Sequence, residues 1–238
     1  MKLSKRLETV ASMVTKGNRA ADVGCDHGFV PIFLVESGIS PLAVAADVRP
    51  GPLSRAKEHI KEHRLEEKIQ TRLSDGLANI KPGEADSLIM SGIGGILMMR
   101  LLQDEEHTAK SFKELILSPQ SELFDVRRYL VSNGYLIEYE HMLCDEGKYY
   151  FIFHVLVKKD EREWSEEEYR YGKDICKDDI KTFLAYLEKE ERQYEQILEK
   201  MKQAPENDRA AQRIAQLHQD ITCLKKRRQL VYDCGCFA

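Results

Sequence analysis

The stretch Ala20-Ala-Asp-Val-Gly-Cys-Asp-His-Gly-Phe-Val-Pro31 decides the fold. A short apolar run enters a glycine turn, and the apolar, helix-compatible run Ile32-Phe-Leu-Val35 leaves it. That order predicts a strand, a tight turn and a helix, the opening unit of a parallel α/β sheet. Open sheets of this kind bind ligands at the carboxyl ends of their strands, so the turn is the expected binding point.

The turn also narrows the ligand. A dinucleotide fingerprint, G-x-G-x-x-G, lets bare backbone approach a pyrophosphate. Here the pattern is Asp22-x-Gly24-x-Asp26-x-Gly28, with acids where a phosphate would need open N–H groups. This disfavours an NAD(P) dehydrogenase. It suits a ligand that is cationic and rich in hydroxyls, and S-adenosylmethionine fits, with a sulfonium, an ammonium, a ribose and no phosphate. Gly24 lets the backbone pass the ligand, and Asp26 is placed to hold its cationic end. The simpler alternative for Asp26 is a helix cap.

Outward from the turn, Leu42-Ala-Val-Ala-Ala-Asp47 reads as the second strand. Asp47 stands about 20 residues past the glycine turn, where a strand-end acid accepts from ribose hydroxyls. Its plainer role is to start the turn Val48-Arg-Pro-Gly-Pro52, with Pro52 opening a helix from Leu53 to His63. Lys68–Ser74 alternates apolar and polar, as a strand near a sheet edge does, and Asp75-Gly76 follows. Ala85–Met90 is a fourth strand. The glycine-rich Ser91-Gly-Ile-Gly-Gly95 after it lets backbone come close to a ligand, or simply connects strand to helix. Glu114–Pro119 is a fifth strand, and Gln120 and Ser121 open a helix to about Ser132. Tyr135–Leu143 and Tyr149–Lys158 form a hairpin around Cys144-Asp-Glu-Gly-Lys148.

The chain has 238 residues, enough for an α/β domain and an extension. With 42% hydrophobic and 32% charged residues it reads as globular. No apolar run spans a membrane, and Met1–Val10 lacks a signal-peptide core, so a cytoplasmic location is expected. The six cysteines are scattered without a C-x-x-C pair and read as free thiols, and no metal site is expected. Cys234-Gly-Cys236 is two soft ligands on a tail end. A net charge of −4 does not select a nucleic acid, although a local basic patch works within a near-neutral total.

From Lys159 onward the character changes. Cys176, Ile180, Phe183, Leu187, Tyr194, Ile197 and Met201 keep three–four spacing, and so do Ile214, Leu217, Ile221, Leu224 and Val231. Gln203–Asp208 separates the two runs. The pattern predicts an antiparallel helical hairpin with a coiled-coil-like seam. Its basic cluster, Lys225-Lys-Arg-Arg228, suits RNA phosphates or caps a solvated helix end. The expected division is 1–158 for the sheet domain and 159–238 for the helical hairpin.

Four stretches carry a resemblance. Asp22-Val-Gly-Cys-Asp-His-Gly-Phe-Val-Pro31, Lys2-Leu-Ser-Lys-Arg-Leu7, Ser91-Gly-Ile-Gly-Gly95 and Glu146-Gly-Lys-Tyr149 resemble motifs of the bacterial tRNA (adenine(22)-N1)-methyltransferases. The resemblance covers most of the chain. It departs where many members carry Ala-Gly-Met-Gly-Gly, Gln-Pro-Asn and a Glu in place of Ser91–Gly95, Ser118-Pro-Gln120 and Asp47.

The resemblance implies a Rossmann-like, seven-stranded methyltransferase sheet ending in a hairpin, with a tRNA-binding helical tail. It implies methyl transfer from S-adenosyl-L-methionine to N1 of a tRNA adenine. The expected cofactor contacts are Asp22, Gly24, Asp26, His27, Gly28, Asp47, Val48, Asp75, Gly76, Ser91 and Gly92; Asp75 is set against the adenine amino group by resemblance. Asp26 is expected to supply a negative field for the cationic product, and Ser91 and Gly92 to position the reaction. Lys5 and Arg6 from the opening helix, Gly94, Gly95, Pro119, Gln120, Lys148 and Tyr149 are expected against the RNA. A methyltransferase acting on a small molecule or protein, and a non-catalytic RNA-binding protein with a cofactor pocket, are the alternatives.

Overall fold

In the computed structural model, residues 3–173, 175, 179–202 and 208–233 are described. Lys2, Cys176, most of the Gln203–Asp208 connection, and Cys234 and Cys236 lie outside them. The chain divides into two compact units, Met1–Glu161 and Arg162–Ala238.

The first unit opens with α1 (Lys5–Ser12), capped by the Ser4 hydroxyl, which accepts from the Leu7 N–H at 3.4 Å. The strands are β1 (Ala20–Val23), β2 (Ala43–Asp47), β3 (Ile69–Leu73), β4 (Ser87–Ser91), β5 (Glu114–Ser118), β6 (Leu136–Asp145) and β7 (Lys148–Leu156). They form one sheet in the order β3-β2-β1-β4-β5-β7-β6. The first five are parallel, and β7 runs antiparallel to both β5 and β6. β1, β2 and β5 are buried along their whole length, as strands covered on both faces must be. β3 is buried only at Ile69 and ends the sheet, so its alternating sequence marks an edge.

Helices α2 (Phe29–Glu36), α3 (Pro50–Glu62), α4 (Gly95–Asp104), the short α5 (Glu106–Ala109) and α6 (Leu123–Ser132) connect the strands. Right-handed crossovers running outward from β1 to β3 put α2 and α3 on one face; the reversed run from β4 to β5 puts α4 on the other. The sheet side of α1, α2 and α3 shares a core of Val10, Ile32, Leu34, Ile60, Ile89 and Ile116. The order reverses between β1 and β4, and there the strand ends part to leave a crevice. The β6–β7 turn is Glu146-Gly147, both at positive φ (50° and 76°), as a two-residue hairpin turn requires. Two boundaries differ from the sequence reading. α3 begins at Pro50 rather than beside Pro52, because proline already holds helical φ at a first position. α6 begins at Leu123, two residues past Ser121.

Among the described residues the second unit has three helices where the sequence pattern gave two. α7 (Glu166–Tyr171) is closed by a capping box between Ser165 and Glu168. α8 (Ile180–Lys202) and α9 (Asp208–Asp233) pack antiparallel through Phe183, Leu187, Leu198, Leu217, Leu224 and Val231. Leu198 takes the seam position expected of Ile197, which is exposed. The basic cluster is not a free row of charges. Arg227 is buried and donates to the carbonyls of Gly172 and Lys173 at 2.7 and 2.8 Å. Arg228 and Lys225 meet Glu191 at 2.5 and 3.5 Å, and Lys226 meets Glu167 at 3.4 Å. Among the described residues no helix is long and apolar enough to cross a membrane.

Candidate active site

The crevice beyond β1, β2 and β4 is a cleft of about 550 Å3. The glycine turn forms its floor. Gly24 has φ +80°, and a Cβ there would point into the cleft with only Ile93 Cγ2 near it, at 3.7 Å. The Gly24 and Cys25 N–H groups both donate to the Ala46 carbonyl, at 2.9 and 3.0 Å, which ties the turn to β2. Gly28, at φ +72°, caps α2 and lies so close to α3 that a Cβ would reach 3.0 Å from Ala56 Cβ. Asp26 is therefore not the cap. It holds φ +48° and turns its half-exposed carboxylate towards His27 Nε2 at 3.5 Å and Arg55 Nη2 at 3.7 Å.

The two buried acids of the cleft are Asp22 and Asp47. Asp47 starts the turn after β2 and also lines the cleft. Its Oδ1 accepts from the Arg49 N–H at 2.8 Å, starting the next turn, and its Oδ2 accepts from the Asp26 N–H at 3.3 Å while it lines the cleft. Burial first, and then the nearby Asp47 carboxylate, push the Asp22 carboxyl up to about 7; the Arg6 charge pulls against them. Burial likewise pushes the Cys25 thiol up, so it is not a nucleophile in waiting.

The remaining walls come from other strand ends. Val48, Asp75 and Gly76 lie on the β2–β3 side, with Leu97 and Leu101 of α4. Val48 is 55% exposed and gives this side of the cleft an apolar surface. Gly76 holds φ +56°, a conformation that side chains rarely adopt, and a Cβ there would meet the Leu101 Cδ2 methyl at 2.5 Å. On the β4 side, Arg6 donates to Ser91 Oγ at 2.5 Å and its guanidinium carbon lies 5.5 Å from the Tyr150 ring centre. The loops after β4 and β5 are joined by backbone bonds, Gly92 N–H to Ser118 O at 3.1 Å and Gln120 N–H to Ile93 O at 2.9 Å. His27 stacks on Phe29 with ring centres 5.3 Å apart.

The structure thus brings Arg6, Asp22, Gly24, Asp26, His27, Asp47, Val48, Asp75, Gly76, Ser91, Gly92 and Gln120 to one cleft. Gly28 sits beneath it. Lys5, Gly94, Gly95, Pro119, Lys148 and Tyr149 do not line it. Gly95 has a structural reason to be glycine: a Cβ would stand 2.5 Å from the Ser121 carbonyl oxygen and 2.8 Å from Val126 Cγ2. Gly94 is the N-cap of α4, and Pro119 is buried. Lys5 reaches the Cys144 carbonyl at 3.5 Å instead. The sequence site omits Leu97 and Leu101 of α4; apolar residues at helical spacing carry no mark that separates a cleft wall from a core. Among the described residues no cluster of three or more His, Cys, Asp or Glu is arranged to hold a metal.

The cleft fits S-adenosylmethionine in its donor set. It has a buried strand-end acid for hydroxyls, a further acid for an ammonium, an apolar wall for a ring, and bare backbone between them. The comparisons agree with that chemistry. Residues 3–153 match the family described as a methyltransferase domain. The chain is 28% identical to the Bacillus subtilis tRNA (adenine(22)-N(1))-methyltransferase over 95% of its length and 97% of that protein's. The B. subtilis m1A22 tRNA methyltransferase TrmK crystal structure superposes with a TM-score of 0.88 at 28% identity, covering 95% and 99% of the two chains. A Streptococcus pneumoniae protein solved with S-adenosyl-L-methionine superposes with a TM-score of 0.84 at 31% identity, covering 95% and 100%. From motif to sheet order to full-length likeness, the chain belongs to the tRNA (adenine(22)-N1)-methyltransferase family.

Proposed function

We propose that this protein transfers a methyl group from S-adenosylmethionine to N1 of an adenine in tRNA, at position 22. The observation that carries the reading is the acid-lined, glycine-floored cleft at the point where the strand order reverses, in a chain that matches adenine-22 enzymes along nearly its whole length. When bound, S-adenosylmethionine supplies an electrophilic methyl group on a sulfonium.

The residues divide the remaining work. Asp47 accepts from ribose hydroxyls. Val48 and Leu97 cover the faces of the adenine ring, and Asp75 stands at its edge. Gly24 gives passage to the chain, and Asp22 takes the ammonium. The Ser91–Ile93 segment, fixed to the β5 loop by its two backbone bonds, sets the height at which an acceptor base can enter. Adenine N1 carries a lone pair before the reaction, so no general base is required. The methylated ring is a cation, and the field it meets comes from Asp22 and Asp47, buried where water screens them little. Asp26 contributes less to that field, because Arg55 and solvent offset its charge. N1 lies on the pairing edge of the base, so a paired adenine must leave its partner to react. The helical second unit is the RNA-holding element in this reading, and Lys148 and Tyr149 at the hairpin tip add contacts outside the cleft.

Labelled S-adenosylmethionine and unmodified tRNA, followed by nucleoside analysis, test the proposal. The expected product is 1-methyladenosine mapping to position 22. A different methylated nucleoside would keep the fold and move the acceptor. Transfer to small molecules or protein but not to tRNA would overturn the substrate.

A further inference from the structure

Resting on the adenine-N1 reading above, we infer that Gln120 is the residue that selects adenine, its side-chain amide pairing with N6 and N7 of the acceptor base. The reaction itself limits how that base can be read. N1 must face the donor methyl group, so the chemistry occupies the pairing edge. What stays free is the edge that carries N7 and the outer N6–H. It presents one acceptor and one donor side by side, and a carboxamide is its complement. A carboxylate accepts from N6–H but has nothing to donate to N7, and a cation donates to N7 but cannot accept from N6. Guanine has acceptors at both O6 and N7 and a proton on N1, so it fails at the amide as well as at the nucleophile.

The cleft lining holds one side chain of that kind. Ser74 is buried there, and its hydroxyl is bonded to the Gly76 carbonyl at 2.8 Å and the Asn79 N–H at 3.0 Å. Ser91 Oγ accepts from Arg6 at 2.5 Å. His27 is stacked on Phe29 and faces Asp26. Gln120 is the only carboxamide in the lining, and it is exposed. Its main chain is fixed, because its N–H donates to the Ile93 carbonyl at 2.9 Å. Its side-chain amide makes no hydrogen bond among the described residues, so donor and acceptor are both available. Nε2 lies 3.7 Å from where a Cβ on Gly92 would stand, and the bare Gly92 leaves the space beside the amide open. The sheet order β3-β2-β1-β4-β5 puts Gln120 at the opposite end of the cleft from Val48 and Asp75. The amide is therefore clear of the donor's own adenine and meets the base that enters to be methylated.

The test uses the full chain and tRNA assembled with 7-deazaadenosine at the target position, which keeps N1 and N6 and replaces N7 by a C–H. Wild-type kcat/KM should fall roughly fivefold to a hundredfold on the 7-deaza tRNA, because the amide N–H is left without a partner. Gln120→Ala should lose a similar factor, roughly fivefold to a hundredfold, on natural tRNA. On 7-deaza tRNA it should lose no more than about twofold further, since one contact cannot be removed twice. Gln120→Glu keeps the acceptor and loses the donor, so it should also stop distinguishing the two tRNAs. S-adenosylhomocysteine affinity, measured by calorimetry, should match the wild type's in both variants, which shows that the cleft is still folded. A wild type indifferent to N7 would overturn the inference, and so would a Gln120→Ala variant that keeps the full 7-deaza penalty. Loss of S-adenosylhomocysteine affinity in both variants would overturn it in favour of a role in shaping the cleft. Failure of the wild type to form 1-methyladenosine on natural tRNA would overturn the adenine reading itself, an outcome distinct from a wild type that methylates both tRNAs equally.

Discussion

Asp22 carries its carboxyl at about 7, raised from an ordinary 3.8 by burial and by the Asp47 charge. Between those pH values the unfolded side chain ionises while the folded one keeps its proton. The ligand-free protein therefore loses stability as pH rises towards 7, by at most about 1.4 kcal/mol per pH unit. Asp22→Asn removes the titration. Its melting temperature should exceed the wild type's by more at pH 8 than at pH 4, as scanning calorimetry would show. Binding should move the other way. Only the ionised carboxylate pairs with an ammonium, so wild-type affinity for S-adenosylmethionine should climb with pH up to about 7 and then level, while Asp22→Asn shows a flat, weaker profile. Asp47→Ala should lower that affinity at least about tenfold, since a carboxylate accepting from hydroxyls contributes roughly 1.5–3 kcal/mol. A variant with unaltered affinity would remove Asp47 from the site. Asp22, Asp26 and Asp47 could be picked out as cleft candidates from their spacing in a glycine turn and at a strand end, although capping and turn formation were open to two of them. Which of them is buried could not, since burial depends on what α1 and α4 lay over the strand ends.

The elements are joined by a buried carboxylate far from the cleft. Glu114 of β5 accepts from the Thr15 N–H and hydroxyl after α1 at 2.8 and 2.6 Å, from Asn18 at 3.1 Å, from Ser87 of β4 at 2.5 Å and from His154 Nε2 of β7 at 2.9 Å. Burial alone would raise its carboxyl, but these donors outweigh it and hold the group at about 2. The bonds contribute stability at every pH above the ordinary 4.5, and it is lost as pH falls towards 2. Glu114→Ala should cost roughly 3–5 kcal/mol, because it strands several buried donors at once; denaturant melts would measure it. At the seam between α4 and α6, Gly95→Ala should also destabilise, by about 1–3 kcal/mol, because its Cβ would stand 2.5 Å from a backbone oxygen that cannot swing away. Sequence alone groups Gly95 with the ligand-binding glycines of its loop. Packing by itself requires a glycine there, and glycine carries no sign of which neighbour excludes a side chain.

At the scale of the whole molecule the two units have separate cores and separate expected tasks. A fragment ending at Glu161 contains every residue that lines the cleft, and is expected to bind S-adenosylhomocysteine with nearly the full-length affinity while losing most tRNA affinity. Loss of nucleoside binding by that fragment would show that the helical unit completes the cofactor site. The tail's cation cluster illustrates what charge counting misses. Lys225, Lys226 and Arg228 have carboxylate partners within their own unit, and Arg227 is spent on two backbone carbonyls.

Read by itself, the chain determines its sheet class, its glycine turn and the acids that line its cleft. These are local matters: a strand–turn–helix needs its apolar runs and its glycines in sequence, and the ligand's charges need opposite ones at fixed spacings. It also determines a helical tail from three–four periodicity alone. Only the tertiary structure decides that Arg6 enters the cleft while Lys5 does not, that Tyr150 rather than Tyr149 stands beside it, and that Gly95 serves helix packing. Each of those depends on which residues from distant parts of the chain arrive at the same strand end. That meeting is set by the sheet order, which no local pattern encodes.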